Sequence, residues 1–289
     1  MFTKKIVSEI KEARRFTDEE KRLLDWAEAV KFKILAQRFK LATNNIARNS
    51  ARDIVPPEEW PVNNKGEPKF DDKFLAECDL LPTDLRYIMF EIYGLEKSMD
   101  KEIKNKIVDH KLWPFFEKVM GVDAVLAGKL LYFSKLGEIA ENFPHWRKYW
   151  KYAGFGGDNW RTNKNYNHNI PHIMYNIGKS FKMLSSDNRK NDGKAISVYG
   201  QLYRDRKEYE MTKPACDEKT NPPKSYNRET GKPNWKDCTN QNRAQKVEDG
   251  TLICSKGHID SKALRYANKA FLKDLWLYSN GDTPIYTQV

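Results

Sequence analysis

Residues 117 to 155 read EKVMGVDAVLAGKLLYFSKLGEIAENFPHWRKYWKYAGF. Two helical patterns lie on either side of Gly121, which can adopt the positive φ that a tight reversal of the chain needs. The second pattern begins at Asp123 and repeats its apolar residues at helical spacing. The stretch therefore predicts a helix-hairpin-helix whose first helix ends near Met120.

A hairpin of this kind presents backbone N–H groups at a helix N-terminus, where a phosphate binds without any contact to a base. Gly121, Val122 and Ala124 are predicted to supply this contact, with Lys129 on the following helix. Asp123 opposes the prediction, because its carboxylate caps helices and repels a phosphate nearby. An ordinary helical hairpin without a ligand is the alternative.

A basic and aromatic segment follows the hairpin. Residues 145 to 190 contain nine lysines and arginines against two acids, with tryptophan, tyrosine and phenylalanine between them. Cations suit phosphates, and the rings either pack in the core or stack on bases. The predicted phosphate contacts in this segment are Arg147, Lys148, Lys151, Arg161 and Lys164, and the secondary contacts on the last helix are Arg265 and Lys269.

The composition fits a basic protein with an acidic partner. The chain has 289 residues, a formal net charge of +11 and an isoelectric point near 9.2, which favours nucleic acid as the partner. At 39% hydrophobic residues it can form a core. It lacks an apolar run of about eighteen residues, and its first residues are too charged for a signal peptide, so we expect no membrane segment and a cytoplasmic protein.

The rest of the chain predicts an all-α fold. An N-terminal helical arm, 1–50, contains an amphipathic helix from Asp18 to Asn45 that Thr17 caps. A linker rich in proline and glycine covers 51–82. The long helix at 83–113 has a narrow apolar stripe typical of a coiled coil, and it either pairs with a second copy of the chain or folds back on the first helix.

The remaining part, 114–289, is predicted to form the helix-hairpin-helix domain. Its last helix is expected to be capped by Asp260 and ended by Gly281. Periodicity is lost over 212–250, which is typical of an irregular insertion. The further helices predicted in this part are Ile170–Leu184, Ile196–Glu210 and Ser261–Ser279.

Three of the cysteines and one histidine define a candidate zinc site. Cys254 and His258 have the spacing of two zinc ligands, and Cys216 and Cys238 would complete a tetrahedral set. A disulfide between two of these three cysteines and free thiols are the alternatives. No other cofactor is predicted.

The chain also resembles a known family. Residues 120–155, the segment NYNHNIPHIMYNIGKSF at 165–181 and the segment KGHIDSKALRYANKAFLKDLWLY at 256–278 resemble the C-terminal transposase domain of bridge-RNA-guided insertion-sequence transposases. The resemblance is closer to short transposase-like proteins of archaeal, phage and plasmid genomes. The positions that carry it are Gly121, Ala127, Leu130, Gly137, Ile139, Phe143, Lys151, Tyr152, Ala153 and Gly154.

Two departures from the family bear on catalysis. The full transposases carry an N-terminal RuvC-like domain with four metal-binding acids, and 1–81 is too short and too helical for that fold. Their transposase domain places a nucleophilic serine soon after the tyrosine-alanine-glycine block, and 155–171 contains no serine. The nearest serines are Ser180, Ser185 and Ser186. The resemblance therefore implies DNA binding without the family's chemistry.

The sequence thus predicts a protein that grips the backbone of duplex or branched DNA with little sequence preference. Motifs of nucleotide-binding loops, zinc proteases and serine hydrolases are absent, which favours a binding protein over an enzyme. Two alternatives stay open. One is an active DNA recombinase or transposase, and the other is an RNA-binding or virion nucleoprotein with the same basic face.

Overall fold

The computed structural model of this chain describes residues 25–56, 59–62, 68, 74–75, 78, 80–156, 166–185, 197–213, 244–246, 252–254 and 256–286. Helices dominate these residues, which confirms the predicted all-α fold class. The chain divides into two compact units, Met1–His110 and Lys111–Val289. None of the helices in this described part has an apolar stretch long enough to cross a membrane.

The first helix of the first unit, α1 (Trp26–Ile54), begins at a capping box. The Asp25 carboxylate accepts a hydrogen bond from the backbone N–H of Glu28 at 2.7 Å, and the Glu28 carboxylate accepts one from the N–H of Asp25 at 3.2 Å. This arrangement satisfies two N–H groups that the first turn leaves without helical partners. The predicted start at Asp18 and cap at Thr17 lie outside the described residues.

The second helix, α2 (Thr83–Lys106), folds back on α1 in the antiparallel direction. Lys33, near the start of α1, forms an ion pair with Asp100, near the end of α2. Farther along, the hydroxyl of Tyr93 donates a hydrogen bond to the side-chain oxygen of Asn44 at 3.3 Å. The long helix therefore folds back on α1 within the same chain.

The apolar stripe of α2 packs against α1 in this helical hairpin. The prediction of a homodimer through 83–113 relied on the same stripe, and it stays a prediction. The buried contacts between α1 and α2 continue into a small apolar cluster at the end of α1. Residues of α1 beyond the predicted end at Asn45 pack in this cluster, so the helix extends to Ile54. The buried residues of α2 are Met89, Ile92, Met99 and Ile103, and those of the cluster include Ala47, Ala51, Val55, Leu75 and Leu81.

A polar contact fixes the register of the same hairpin. The Glu96 carboxylate accepts hydrogen bonds from Gln37 at 2.9 Å and from Lys40 at 3.4 Å. Burial raises the pKa of the Glu96 carboxyl, but the Gln37 hydrogen bond and the charges of Lys40 and Lys33 outweigh burial and hold the pKa below its ordinary value. The carboxylate is therefore ionised at neutral pH and is matched by cations of α1.

The second unit is organised around its last helix. Its α-helices are α3 (Trp113–Glu117), α4 (Ala124–Phe133), α5 (Ile139–Asn142), α6 (Trp146–Tyr152), α7 (Asn169–Met183), α8 (Val198–Met211) and α9 (Lys256–Ser279). The last of these, α9, packs against α5, α6, α7 and α8. Its Phe271 is fully buried, and the rings of Phe115, Phe181 and Tyr199 lie with their centroids 5.5 to 5.7 Å from it.

The start of α9 differs from the prediction. The helix begins at Lys256, ahead of the predicted Ser261, so Asp260 lies inside it and the prediction of Asp260 as the cap was wrong. Its carboxylate instead binds Tyr203 on α8. Gly281 follows the helix with a φ of +81°, which agrees with the predicted end.

A short sheet among the described residues begins within the region predicted to be irregular and ends just beyond it. Strands β1 (Ala244–Lys246) and β2 (Leu252–Cys254) pair antiparallel, with Gln245 opposite Ile253. The prediction for 212–250 was therefore wrong at β1, because a strand of three residues is too short for an alternating pattern to reveal. Residues 214–243 and 247–250 lie outside the described residues.

Gly121 forms the turn between α3 and α4 with the predicted positive φ, which is +95°. The turn packs against the end of α7. A Cβ atom added to Gly121 would lie 2.8 Å from Cδ1 of Leu184 and 3.1 Å from Cβ of Ser180. Both the backbone conformation and the close approach therefore require glycine here.

Replacing this glycine should destabilise the second unit. We expect Gly121→Ala to lower the free energy of unfolding by about 1 to 3 kcal/mol, because the methyl group both strains the backbone and displaces Leu184. Urea unfolding measures the effect. Gly257→Ala in the first turn of α9 is the control, since its Cβ meets nothing within 4 Å and should cost nothing. A loss below about 0.5 kcal/mol in Gly121→Ala would contradict this account.

Candidate nucleic-acid interface

Helix α6, with the sequence WRKYWKY, is anchored through one face and displays cations on the other. Tyr149 is fully buried, and its hydroxyl lies 2.8 Å from that of Ser134. Burial raises the pKa of Tyr149 despite the Ser134 hydrogen bond, so this tyrosine is neutral and structural. The indole N–H of Trp150 donates to the backbone carbonyl of Lys269 at 3.0 Å, which ties α6 to α9.

Three aromatic rings between α6 and α9 form what we call the aromatic shelf: Trp146, Trp150 and Phe155. The two indoles meet edge to face, with their centroids 4.3 Å apart. Phe155 is buried, while both tryptophans are partly exposed. The shelf thus presents π faces close to the surface of the second unit, where a cation can bind them.

Three cations of α9, which we call the cation row, lie over the shelf. The Nζ atom of Lys273 is 5.0 Å from the Trp146 ring centroid, and that of Lys269 is 5.1 Å from the Trp150 centroid. The guanidinium carbon of Arg265 is 5.3 Å from the Phe155 centroid. Because the members are four residues apart on one helix, they rise about 6 Å per step and share one side of α9.

Three more cations lie on α6, which packs against α9. Arg147, Lys148 and Lys151 are all exposed, and the guanidinium carbon of Arg147 lies 5.0 Å from the Trp146 centroid. We call these three side chains together with the cation row the basic face. Five of its six members were predicted from the sequence, and the packing of α6 against α9 places them on two neighbouring helices.

The sixth member, Lys273, was missed by sequence reasoning. It stands four residues after Lys269, which itself stands four residues after Arg265. That spacing is the signal that would have found it, since residues four apart lie on one side of a helix.

The two segments that carry the basic face contain few acids. Residues 143 to 156 contain no aspartate or glutamate, and Asp274 is the one acid between 261 and 279. Asp274 is fully buried and accepts a hydrogen bond from Tyr199 on α8 at 2.8 Å. The positive potential of the basic face is therefore not cancelled by carboxylates along these two segments.

Two lysines near α8 are paired with a carboxylate of α9, unlike the cations of α6. The Asp260 carboxylate binds Lys182 and Tyr203, and Lys207 lies 3.5 Å away. Burial raises the pKa of Asp260, but these hydrogen bonds and lysine charges hold it below its ordinary value. Burial and the same carboxylate raise the pKa of the Tyr203 hydroxyl. This cluster is therefore a structural ion pair.

A second carboxylate on α8 has the same role. Glu210 is buried and binds Arg206 on its own helix and Lys262 on α9, the latter at 3.1 Å. Burial raises the pKa of the Glu210 carboxyl, but Lys262 and Arg206 outweigh burial and hold it below its ordinary value. Cations of α8 are thus matched by acids, in contrast to the exposed cations of α6.

The hairpin turn carries a negative charge at the start of α4. Val122 is buried, and its N–H lies 3.4 Å from the carbonyl oxygen of Val119. The Asp123 carboxylate accepts a hydrogen bond from the N–H of Leu126 at 2.8 Å and caps α4. This charge opposes a phosphate at the same helix end, and the contact of Gly121, Val122 and Ala124 with a phosphate stays a prediction. 

Three further cations were predicted to bind phosphates: Lys129, Arg161 and Lys164. Lys129 is half-buried on α4, which packs against α3 and α7. Arg161 and Lys164 lie outside the described residues. Their contacts with phosphates stay predictions.

The described residues contain half of the predicted zinc set. Cys254 is buried and has its sulfur 3.9 Å from Nζ of Lys262, and His258 is half-buried in the first turns of α9. Cys216 and Cys238 lie outside the described residues. No group of three or more metal-ligating side chains occurs within the part of the chain that the structure describes. The zinc site stays a prediction.

The nearest serines make local hydrogen bonds. The hydroxyl of Ser180 lies 3.5 Å from the carbonyl oxygen of Asn176, and the hydroxyl of the buried Ser185 donates to the carbonyl of Lys182 at 2.6 Å. Neither contact supplies the base that activates a serine nucleophile. Ser186 lies outside the described residues.

Comparisons of this chain with protein-family models, with curated proteins and with solved structures each found no match. The resemblance to the transposase domain therefore rests on the sequence segments alone.

Proposed function

We propose that this chain binds DNA through the sugar-phosphate backbone, with little preference for sequence, and that the basic face is the contact surface. The observation that carries the proposal is the cation row, held over aromatic rings beside the exposed cations of α6. Lysine and arginine side chains on segments poor in acids favour phosphates, and phosphate contacts position a protein without reading bases.

We also propose that the chain is related to mobile-element transposases and acts without their catalytic groups. The family resemblance over 120–155, 165–181 and 256–278 supports the relation. The lack of serine in 155–171 supports the absence of the chemistry. Binding would then hold or shape DNA rather than cut it.

Removing the charge of the cation row tests the contact surface. We expect the triple variant Arg265→Gln, Lys269→Gln and Lys273→Gln to bind a short duplex about thirtyfold more weakly, because three charge-assisted phosphate contacts are lost. Fluorescence anisotropy with a labelled duplex of random sequence measures the affinity. Circular dichroism verifies that the variant is still folded.

The matched control removes three exposed lysines from α2. Lys97, Lys101 and Lys104 have similar helical spacing, and their replacement by glutamine changes the net charge by the same amount. We expect this control to bind the duplex within about twofold of the unchanged chain, because it loses only the general attraction of three charges. Equal losses in both triple variants would contradict the assignment of the basic face.

A competition panel separates the rival functions. Unlabelled duplex DNA, a four-way DNA junction and a structured RNA are compared as competitors against the same labelled duplex. We expect both DNAs to compete, and stronger competition by RNA would favour a nucleoprotein. A parallel incubation with Mg²⁺ should leave the DNA strands intact, while nicking or strand exchange would show a recombinase.

A further inference from the structure

The rings of the aromatic shelf are already occupied by other groups. Trp146 has Lys273 and Arg147 each 5.0 Å from its centroid and the edge of Trp150 against it. Trp150 lies under Lys269, and Phe155 is 6% exposed beneath Arg265. A ring that stacks on a base must offer a free face. These rings face cations of their own chain instead.

A cation held over a ring has fewer conformations than one in solvent. Lysine and arginine lose much rotamer freedom when they bind a ligand, and this loss weakens binding. A side chain that is already placed over a π face loses less on contact with a phosphate. The hydrogen bond from Trp150 to the carbonyl oxygen of Lys269 also fixes the backbone from which that lysine extends.

We propose that Trp146, Trp150 and Phe155 are positioning residues, which hold the cation row ready for the phosphates of a double helix and do not stack on bases. This inference rests on the proposed function and specifies duplex rather than single-stranded DNA as the ligand. A regular row of cations fits the regular backbone of a duplex. A single strand, which is bound through stacking on free rings, gains nothing from the covered shelf.

A double-mutant cycle on Trp150 and Lys269 tests the role of the ring. We expect Trp150→Leu to weaken duplex binding by about three- to tenfold in the unchanged chain, which is the range of a cation–π contact. In the Lys269→Met background the same tryptophan change should cost less than about twofold, because the ring then has no cation to hold. The probe is a labelled duplex of random sequence, measured by anisotropy.

Two controls accompany the cycle. Trp150→Phe keeps a π face and should retain most of the affinity. The single strand of the same sequence should bind at least about tenfold more weakly than the duplex and should not quench tryptophan fluorescence. If Trp150→Leu does not fold, the cycle on Trp146 and Lys273 replaces it, since Lys273 lies at a similar distance from its ring. Every variant of that cycle then also carries Arg147→Met, because Arg147 lies 5.0 Å from the same ring.

The outcomes separate the two proposals. Equal losses from Trp150→Leu with and without Lys269 would mean that the ring itself touches DNA, and the positioning role would be overturned while DNA binding stands. Equal affinity for single strands with fluorescence quenching would overturn it as well. A wild-type chain that binds neither probe overturns the proposed function, and this inference with it.

Discussion

Raising the salt concentration from 50 to 200 mM should weaken the binding of duplex DNA by about a thousandfold. A protein that neutralises phosphates releases the cations condensed on DNA, and that release is less favourable in high salt. The basic face has six cations, and about six phosphate contacts give a slope near −5 in a plot of log K against log salt. Anisotropy titrations at several salt concentrations between these limits measure the slope.

The slope of log K against log salt also measures the number of phosphate contacts. The triple variant at Arg265, Lys269 and Lys273 should have a slope shallower by about 3, because each lost phosphate contact removes about 0.9. The triple control at Lys97, Lys101 and Lys104 should keep the original slope. A flat response in the unchanged chain would show that binding, if any, does not depend on phosphates.

The helical class and most of the basic face could be predicted from the sequence because the signals are local. Apolar residues recur every three or four positions along the helices, and this pattern shows where each helix buries a face. The excess of cations at 145–151 is visible without any fold. Gly121 was correctly predicted to adopt a positive φ, since a reversal between two helical patterns needs one.

The aromatic shelf could not be predicted, because it depends on contacts between distant residues. Trp150 and Lys269 are 119 positions apart, and no local pattern shows that α6 packs on α9. The sequence predicted Lys269 as a phosphate contact and the rings of 145–190 as core or base-stacking groups, without a link between them. The packing of the helices decides which rings are buried and which cations lie over them. The periodicity of the sequence does not contain this information.

The ambiguity of the hairpin turn has a different cause. Glycine followed by a helix N-terminus is compatible with a phosphate site, but it is equally compatible with a capped turn inside a core. Asp123 caps α4, which favours the capped turn, and its role as the cap was recognisable from the sequence. The same logic failed at Asp260, where the helix begins earlier and an apparent cap became a member of an ion pair.

Replacing Asp274 by alanine should lower the free energy of unfolding of the second unit by about 3 kcal/mol. The carboxylate is fully buried and accepts three hydrogen bonds, from the hydroxyl of Tyr199 at 2.8 Å and from the backbone N–H groups of Ile285 and Tyr286 at 2.9 Å each. It therefore joins α8, α9 and the segment after α9. Alanine leaves three donors without their acceptor and opens a small cavity.

Urea unfolding followed by circular dichroism measures this loss, and Asp282→Ala is the matched control. Asp282 is exposed and accepts one hydrogen bond, from the side-chain amide of Asn280 at 2.8 Å, so its removal should change stability by less than about 0.5 kcal/mol. Tyr199→Phe removes one of the three donors to Asp274 and should fall between the two variants. Similar unfolding midpoints for Asp274→Ala and Asp282→Ala would show that the buried carboxylate does not hold these three segments together.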